Sequence, residues 1–237
     1  MSRNREDMFR ELGLAPVWRL RDQSHQPDDE VLESGKSNKP QEELAGEASV
    51  MQMDWSQLRE AVRNCTKCEL HRTRTQGVLG VGDQNADWLI IGEAPGADED
   101  AQGEPFVGQA GKLLDAMLAA IGLKRGENVY IANVLKSRPP GNRNPTVEEV
   151  TACLPYLERQ IQLIQPKLIL ALGRFAAQTL LNTEEAISRL RGRLHHYQGV
   201  PLIVSYHPAY LLRNLPDKAK AWEDLCFARE TMARARS

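Results

Sequence analysis

Four short apolar runs, separated by helix-length segments, constrain this chain more than any other feature. The runs are DWLIIGE (87–93), NVYIANVL (128–135), KLILALG (167–173) and VPLIVSYHP (200–208). Between them, GKLLDAMLAAIG (111–122) has helical periodicity and a glycine stop. TVEEVTACLPYLERQIQLI (146–164) opens on a capping box, Thr146 with Glu149 three residues on. GRFAAQTLL starts a helix straight after the third run, and NLPDKAKAWEDLCFARETMARA follows the fourth with another. Strands that read as near-continuous apolar runs are covered on both faces. Their alternation with helices predicts an α/β fold with a mostly parallel sheet. Such sheets bind ligands outside the carboxyl ends of their strands. Three of those ends carry unusual polar sequence, GEAPGADED, NVLKSRPPGNR and SYHPAYLLR, and converge on one crevice if the strands are parallel.

The rest of the chain divides by composition. Residues 1–20 suggest a short amphipathic helix ending near Gly13. Residues 21–52, rich in Asp, Glu, Gln, Ser and Pro, have the composition of a disordered linker. The main domain is expected over 53–237. A formal net charge of −2 excludes a wholly basic surface, so any nucleic-acid contact rests on a local patch. There is no run of about 18 apolar residues, and no apolar segment follows the N-terminal basic residues. A cytoplasmic protein without a membrane segment is expected.

Each strand-end residue has a plain reading beside a functional one. GEAPG (92–96) permits a tight turn with Gly92 and Ala94 against a ligand and Glu93 at the mouth, or an ordinary solvated turn. Asp98, Glu99 and Asp100 read as a solvated acidic cluster or a helix cap. Phe106, in GEPFVGQAG, is either core or a stacking surface for a flat ligand. Asn133 offers a donor and an acceptor side by side, which can read a base edge, or it serves as a turn residue. His207 can donate to a developing oxyanion, or be structural. His195 and His196 look like ordinary histidines. Lys136, Arg138, Arg143 and Arg213 would place positive charge on the rim, where a phosphate backbone would need it.

Four cysteines are present, Cys65, Cys68, Cys153 and Cys226. The run before CTKC, WSQLREAVRNC, is helix-like, which favours a metal-ligand pair over a redox pair.

Taken in order and spacing, GEAPGADEDAQGEPFVGQAGKLLDAML, NVLKSRPPGNRNP, LALGRFAAQTLL and SYHPAYLLRN resemble the family 4 uracil-DNA glycosylases, over roughly Met53 to Arg229. The resemblance implies a three-layer α/β/α fold with a mainly parallel four-stranded central sheet. It implies hydrolysis of the N-glycosidic bond of uracil in DNA, leaving an abasic site. By position, Glu93 matches a residue that orients or activates water. Phe106 matches one that stacks on uracil, Asn133 one that reads its polar edge, and His207 one that hydrogen-bonds O2. Arg213 lies in a loop matching one that enters the DNA. The enzyme is expected to be a monofunctional monomer acting on uracil-containing DNA, with residues 1–50 available to an unknown protein partner. The rivals are a non-catalytic uracil- or DNA-binding module of the same fold, and a redox or iron-sensing protein built on CTKC.

The resemblance also implies a [4Fe–4S] cluster held by four cysteines. Cys65, Cys68 and Cys153 match three of them, and the fourth slot falls on Ser137. Three outcomes stay open: a cluster completed by the Ser137 oxygen or an external ligand, a three-iron or other metal centre, and no metal. Cys226 is read as a buried thiol in the last helix.

Overall fold

The structure is a computed structural model and describes residues 50–235. The helix expected over 1–20, and the linker up to residue 49, lie outside the described residues. Val50 is already part of a packed cluster with Leu58, Val62 and Tyr156.

Six strands form one sheet: β1 (Val81–Gly82), β2 (Trp88–Gly92), β3 (Val129–Asn133), β4 (Leu168–Leu172), β5 (His195–Tyr197) and β6 (Val200–Ser205). Their order is β1-β3-β2-β4-β6-β5. The central four, β3-β2-β4-β6, are parallel, in register Gly92↔Asn133, Ile91↔Ala171 and Leu172↔Ser205. They are the four apolar runs of the sequence. The sheet is wider than four strands because two short edge strands join it antiparallel, β1 on β3 and β5 on β6. Neither VG nor HHY is long or apolar enough to announce itself as a strand; neighbouring backbone recruits them.

The period-2 alternation of strand side chains sends each central strand to two cores. Trp88, Ile90, Ile131, Leu170 and Ile203 face one layer of helices, α3 (Gln109–Ala120) and α8 (Lys218–Ala235). Leu89, Ile91, Ala132, Ala171 and Val204 face the other, α4 (Val147–Ile164) and α5 (Arg174–Leu181). The result is a three-layer α/β/α fold. Four further α-helices are α1 (Trp55–Arg63), α2 (Ala97–Gln102), α6 (Ile187–Leu190) and α7 (Pro208–Arg213). Helix α1 packs through Leu58 and Val62 near Tyr156 of α4. The expected capping box opens α4: Glu149 N–H donates to Thr146 Oγ1, and Thr146 N–H donates to Glu149 Oε2. Helix α2 occupies the acidic trio, so the helix-cap reading of Asp98–Asp100 is the one realised.

One buried ion pair ties the segment after α6 to the last helix. Arg191 donates from Nε and Nη2 to the two Asp224 oxygens at 2.8 and 2.9 Å, and Asp224 is 1% exposed. The same guanidinium lies 4.8 Å over the Tyr206 ring, which stacks on Tyr210 at 5.1 Å. Removing one partner leaves a charge buried without compensation, at a cost of about 3–5 kcal/mol. Asp224→Ala is therefore expected to lose stability on that scale, read as a lower urea midpoint with an unchanged slope.

Candidate active site

Strand order decides where a ligand goes. The chain steps from β2 outward to β3, then returns to the opposite side of β2 for β4. Loops after β2 and β4 therefore leave in opposite directions and open a crevice at the carboxyl end of the sheet. A cleft of about 730 Å³ occupies it, walled by Glu93, Phe106, Asn133, Arg174, His207 and Arg213 among others. All four parallel strands contribute. The sequence reading identified three of the ends and missed the fourth, Gly173–Arg174–Phe175. A glycine between an apolar run and a helix start was the available signal.

Close approach at the cleft floor depends on Gly92. A Cβ there would lie 2.4 Å from Asn133 Oδ1 and 2.6 Å from Phe106 Cζ, so no larger residue lets these two side chains meet. Phe106 has a positive φ of 56°, costly for an aromatic residue. Arg125 holds it there by donating to the carbonyls of Pro105 and Phe106 at 3.0 and 2.8 Å. Gly111 admits the Phe106 carbonyl, which a Cβ would overlap. Asn133 is 2% exposed, and its Oδ1 has no hydrogen-bond partner among the described residues. An unmet buried acceptor costs about 1–3 kcal/mol, so its persistence at a cleft floor points to a ligand donor.

The four carboxylates near the end of β2 separate cleanly. Glu99 accepts from the backbone N–H groups of Gly96 (3.0 Å), Val107 (3.1 Å) and Gly108 (3.3 Å), so it pins two loops together. Asp98 is exposed on α2 and does not line the cleft. Asp100 is buried and accepts from Thr75 N–H at 2.9 Å. Glu93 alone faces the cleft without a backbone partner. Burial pushes its carboxyl up to about 7, partly opposed by the Arg174 guanidinium.

His207 caps α7. Its Nδ1 accepts from the Ala209 N–H at 3.1 Å, so in the neutral ring the proton sits on Nε2. Burial, reinforced by the positive charge of Arg213, lowers the imidazole to about 4. The ring is neutral at physiological pH, with one donor to offer. It lies 5.4 Å from the Phe106 ring, at 28° to it. Gly173, at φ +91°, allows this: a Cβ there would come 2.9 Å from the Cβ of His207.

The basic residues behave differently from one another. Lys136 was expected on the rim but is 1% exposed and points inward. Its ammonium donates to the carbonyls of Asn133 (2.7 Å) and Leu79 (3.4 Å) and to Gln160 Oε1 (2.5 Å). The backbone turns after Leu135 so that this side chain closes the core under the strand end. Arg143 lines the cleft but is bound to both Glu149 oxygens. Arg138 bonds Asn142 at 2.8 Å and is not part of the cleft wall. Arg213 is exposed on the wall.

The cysteines gather behind the loop that follows β3. Cys65 and Cys68 follow α1, and Cys153 lies on α4. Cys68 and Cys153 are hydrogen-bonded, a contact that pulls the Cys68 thiol down to about 6 and, with burial, pushes that of Cys153 up. The Lys136 N–H donates to Cys153 Sγ at 3.5 Å. Ser137 is 3% exposed, and its Oγ accepts from Arg74 Nη1 at 2.7 Å. Arg74 Nη2 donates to the carbonyls of Arg63 and Cys65. Among the described residues, no three His, Cys, Asp or Glu side chains are grouped as a single metal ion would need. What the chain offers an iron–sulfur cluster here is three thiols and the Ser137 hydroxyl; it does not supply four thiolates. Cys226, expected to be buried, is half-buried on α8 because it flanks the packed stripe Ala221, Leu225, Ala228.

The sequence profile of the Uracil DNA glycosylase superfamily matches residues 79–226. A type-4 uracil-DNA glycosylase of Archaeoglobus fulgidus is 52% identical over 159 residues, covering 64% of this chain and 79% of the relative. One from Pyrobaculum aerophilum is 44% identical over 183 residues, covering 73% and 92%. One from Thermotoga maritima is 45% identical over 157 residues, covering 65% and 81%.

The Glu93 carboxyl yields a stability test. Its midpoint lies near 7 in the folded chain against an ordinary 4.5. A raised carboxyl favours folding below the ordinary value, and that contribution is lost as pH rises through the folded one. Glu93→Gln is therefore expected to raise the melting temperature by a few degrees at alkaline pH. It should give no gain near pH 4, measured by thermal unfolding across that range.

Proposed function

This chain belongs to the uracil-DNA glycosylase superfamily, and from that membership and the cleft geometry we propose that it hydrolyses the N-glycosidic bond of uracil in DNA. The product is an abasic site for base-excision repair. The observation that carries this reading is the unmet Asn133 acceptor, set at the cleft floor beside Phe106 and within the same wall as His207.

The residues divide the work as follows. A base inside a duplex is out of reach, so the nucleotide must be extruded into the cleft. Phe106 offers a stacking face. Asn133 accepts from uracil N3–H through Oδ1 and donates to O4 through Nδ2. Cytosine presents a lone pair at N3 and an amino group at position 4, the reverse of both contacts, and loses about 1–3 kcal/mol for each mismatch. His207 donates from Nε2 to O2. As the C1′–N1 bond breaks, both electrons go to the base, and this hydrogen bond strengthens with the charge on O2. Ionised Glu93 faces the oxocarbenium-like sugar and orients the water whose oxygen bonds to C1′. Gly92 and Ala94 let the base come close to backbone. Among the described residues no lysine lines the cleft, and the Lys136 amine is committed to three carbonyl oxygens, which fits a monofunctional enzyme without a Schiff base.

An iron–sulfur cluster bound by Cys65, Cys68 and Cys153, with Ser137 in the fourth slot, would supply a structural brace for the loop after β3. Among the described residues no helix is long and apolar enough to cross a membrane. The enzyme is taken to be a cytoplasmic monomer, with residues 1–50 available to a protein partner.

Uracil release from a single-stranded oligonucleotide with one uracil, scored by strand cleavage after alkali, tests the reading. His207→Ala is expected to slow single-turnover release by about 10²–10³-fold. Retained binding without release by folded wild-type protein would instead favour a non-catalytic binding module. The pH profile should rise to a plateau above about 7, where Glu93 is ionised, and Glu93→Gln should abolish that rise. Ser137→Cys is expected to raise iron per chain as purified; unchanged iron counts against the assignment of that slot.

A further inference from the structure

The glycosylase reading requires cations that hold the DNA backbone, and the structure distinguishes those that are free to do so. A guanidinium that already faces a carboxylate through both of its arms offers little net charge to a phosphate. Arg143 is in that state, bound by Glu149 through Nη1 at 2.9 Å and Nη2 at 2.5 Å. Arg138 donates to Asn142, itself a wall residue, without lining the cleft, and Lys136 is buried. Two cations remain on the wall. Arg174 and Arg213 are both exposed, and among the described residues neither makes an ion pair or a hydrogen bond.

Arg174 is also held in place. Its guanidinium lies 4.6 Å over the ring of Phe175, itself part of the wall. Stacking on an aromatic face restricts the long side chain while leaving the N–H edges outward, so less entropy is lost when they meet an acceptor. The residue opens α5 directly after β4, on the far side of the strand-order reversal from Glu93. The carboxylate that faces the sugar and this cation therefore flank the same crevice.

We propose that Arg174 is a DNA-phosphate contact that, together with Arg213, anchors the strand carrying the extruded nucleotide. This deepens the glycosylase reading and rests on it. The nearby Glu93 carboxylate does not neutralise Arg174 in a bonded pair; the two meet only through space.

The test is the salt dependence of binding to a single-stranded oligonucleotide that carries one tetrahydrofuran abasic analogue, which cannot be turned over. On single strands the logarithm of the binding constant falls with the logarithm of salt by about 0.7 for each phosphate neutralised. Arg174→Gln and Arg213→Gln are each expected to lower the slope by about that amount, Arg174→Lys to keep it, and Arg143→Gln to leave it unchanged. Thermal unfolding of each variant checks that the fold is intact. An unchanged slope for Arg174→Gln overturns the proposal, including the case where affinity falls at all salt concentrations, which would mark Arg174 as a base-stacking group. A slope that falls as much for Arg143→Gln also overturns it, because paired and unpaired cations would then be equivalent. Uracil release by the wild type in the same buffers separates the two readings. If uracil is released and the slopes are equal, only the Arg174 contact fails. If none is released, the glycosylase reading falls, while the slopes still decide whether Arg174 meets phosphate.

Discussion

The site exists because glycine stands at the carboxyl ends of two parallel strands, as the last residue of β2 and the first after β4. At Gly92 the missing side chain lets Asn133 and Phe106 come into one small volume. At Gly173 it lets His207 approach from the next strand. Parallel register fixes the rest: Gly92 pairs with Asn133, and Leu172 pairs with Ser205, so the ends of all four strands stop at one level. Residues separated by as much as 115 positions in sequence, Gly92 to His207, are thereby held on a common floor. Rigid strands position such groups better than loops would, because their backbone hydrogen bonds leave little freedom.

Burial sets the chemistry of that floor. Removing water raises the Glu93 carboxyl toward neutrality and lowers the His207 imidazole well below it. The two groups are pushed in opposite directions on the pH axis by one cause, desolvation of the charged form. The consequence at physiological pH is an ionisable carboxyl and a neutral ring on one cleft wall. The Nδ1 contact with the Ala209 amide then decides which ring nitrogen carries the proton.

The loop after β3 is held by polar contacts as well as by the buried Val134 and Leu135. Lys136 under it and Arg74 beside it donate to the Asn133 and Leu79 carbonyls, to Ser137 and to Cys65. Burial brings the Lys136 ammonium down to about 7, so even this cation is near its limit of stability in the core. Ser137 fits here without strain because its hydroxyl is met by Arg74. That contact shows how the chain accommodates a serine where its resemblance to the family leads one to expect a thiol.

The sequence by itself determined the layer order, the four central strands, the capped helix at Thr146 and the polar strand ends, because each is written in a local period or a turn residue. It placed Glu93, Asn133 and His207 at strand ends and Phe106 in a glycine-rich loop, and all four line the cleft. It could not determine which side of β2 the α4–β4 unit returns to, and so could not name Arg174 as part of the wall. Nor could it separate Lys136 from Arg213, since one cation near a strand end looks like another until packing shows which of them is dry. The edge strands at Val81 and His195 were illegible for the same reason: they are strands only because a neighbour offers them hydrogen bonds. Local pattern fixes what each segment can be, while partner, burial and charge state belong to contacts between segments distant in the chain, and only the tertiary structure brings those together.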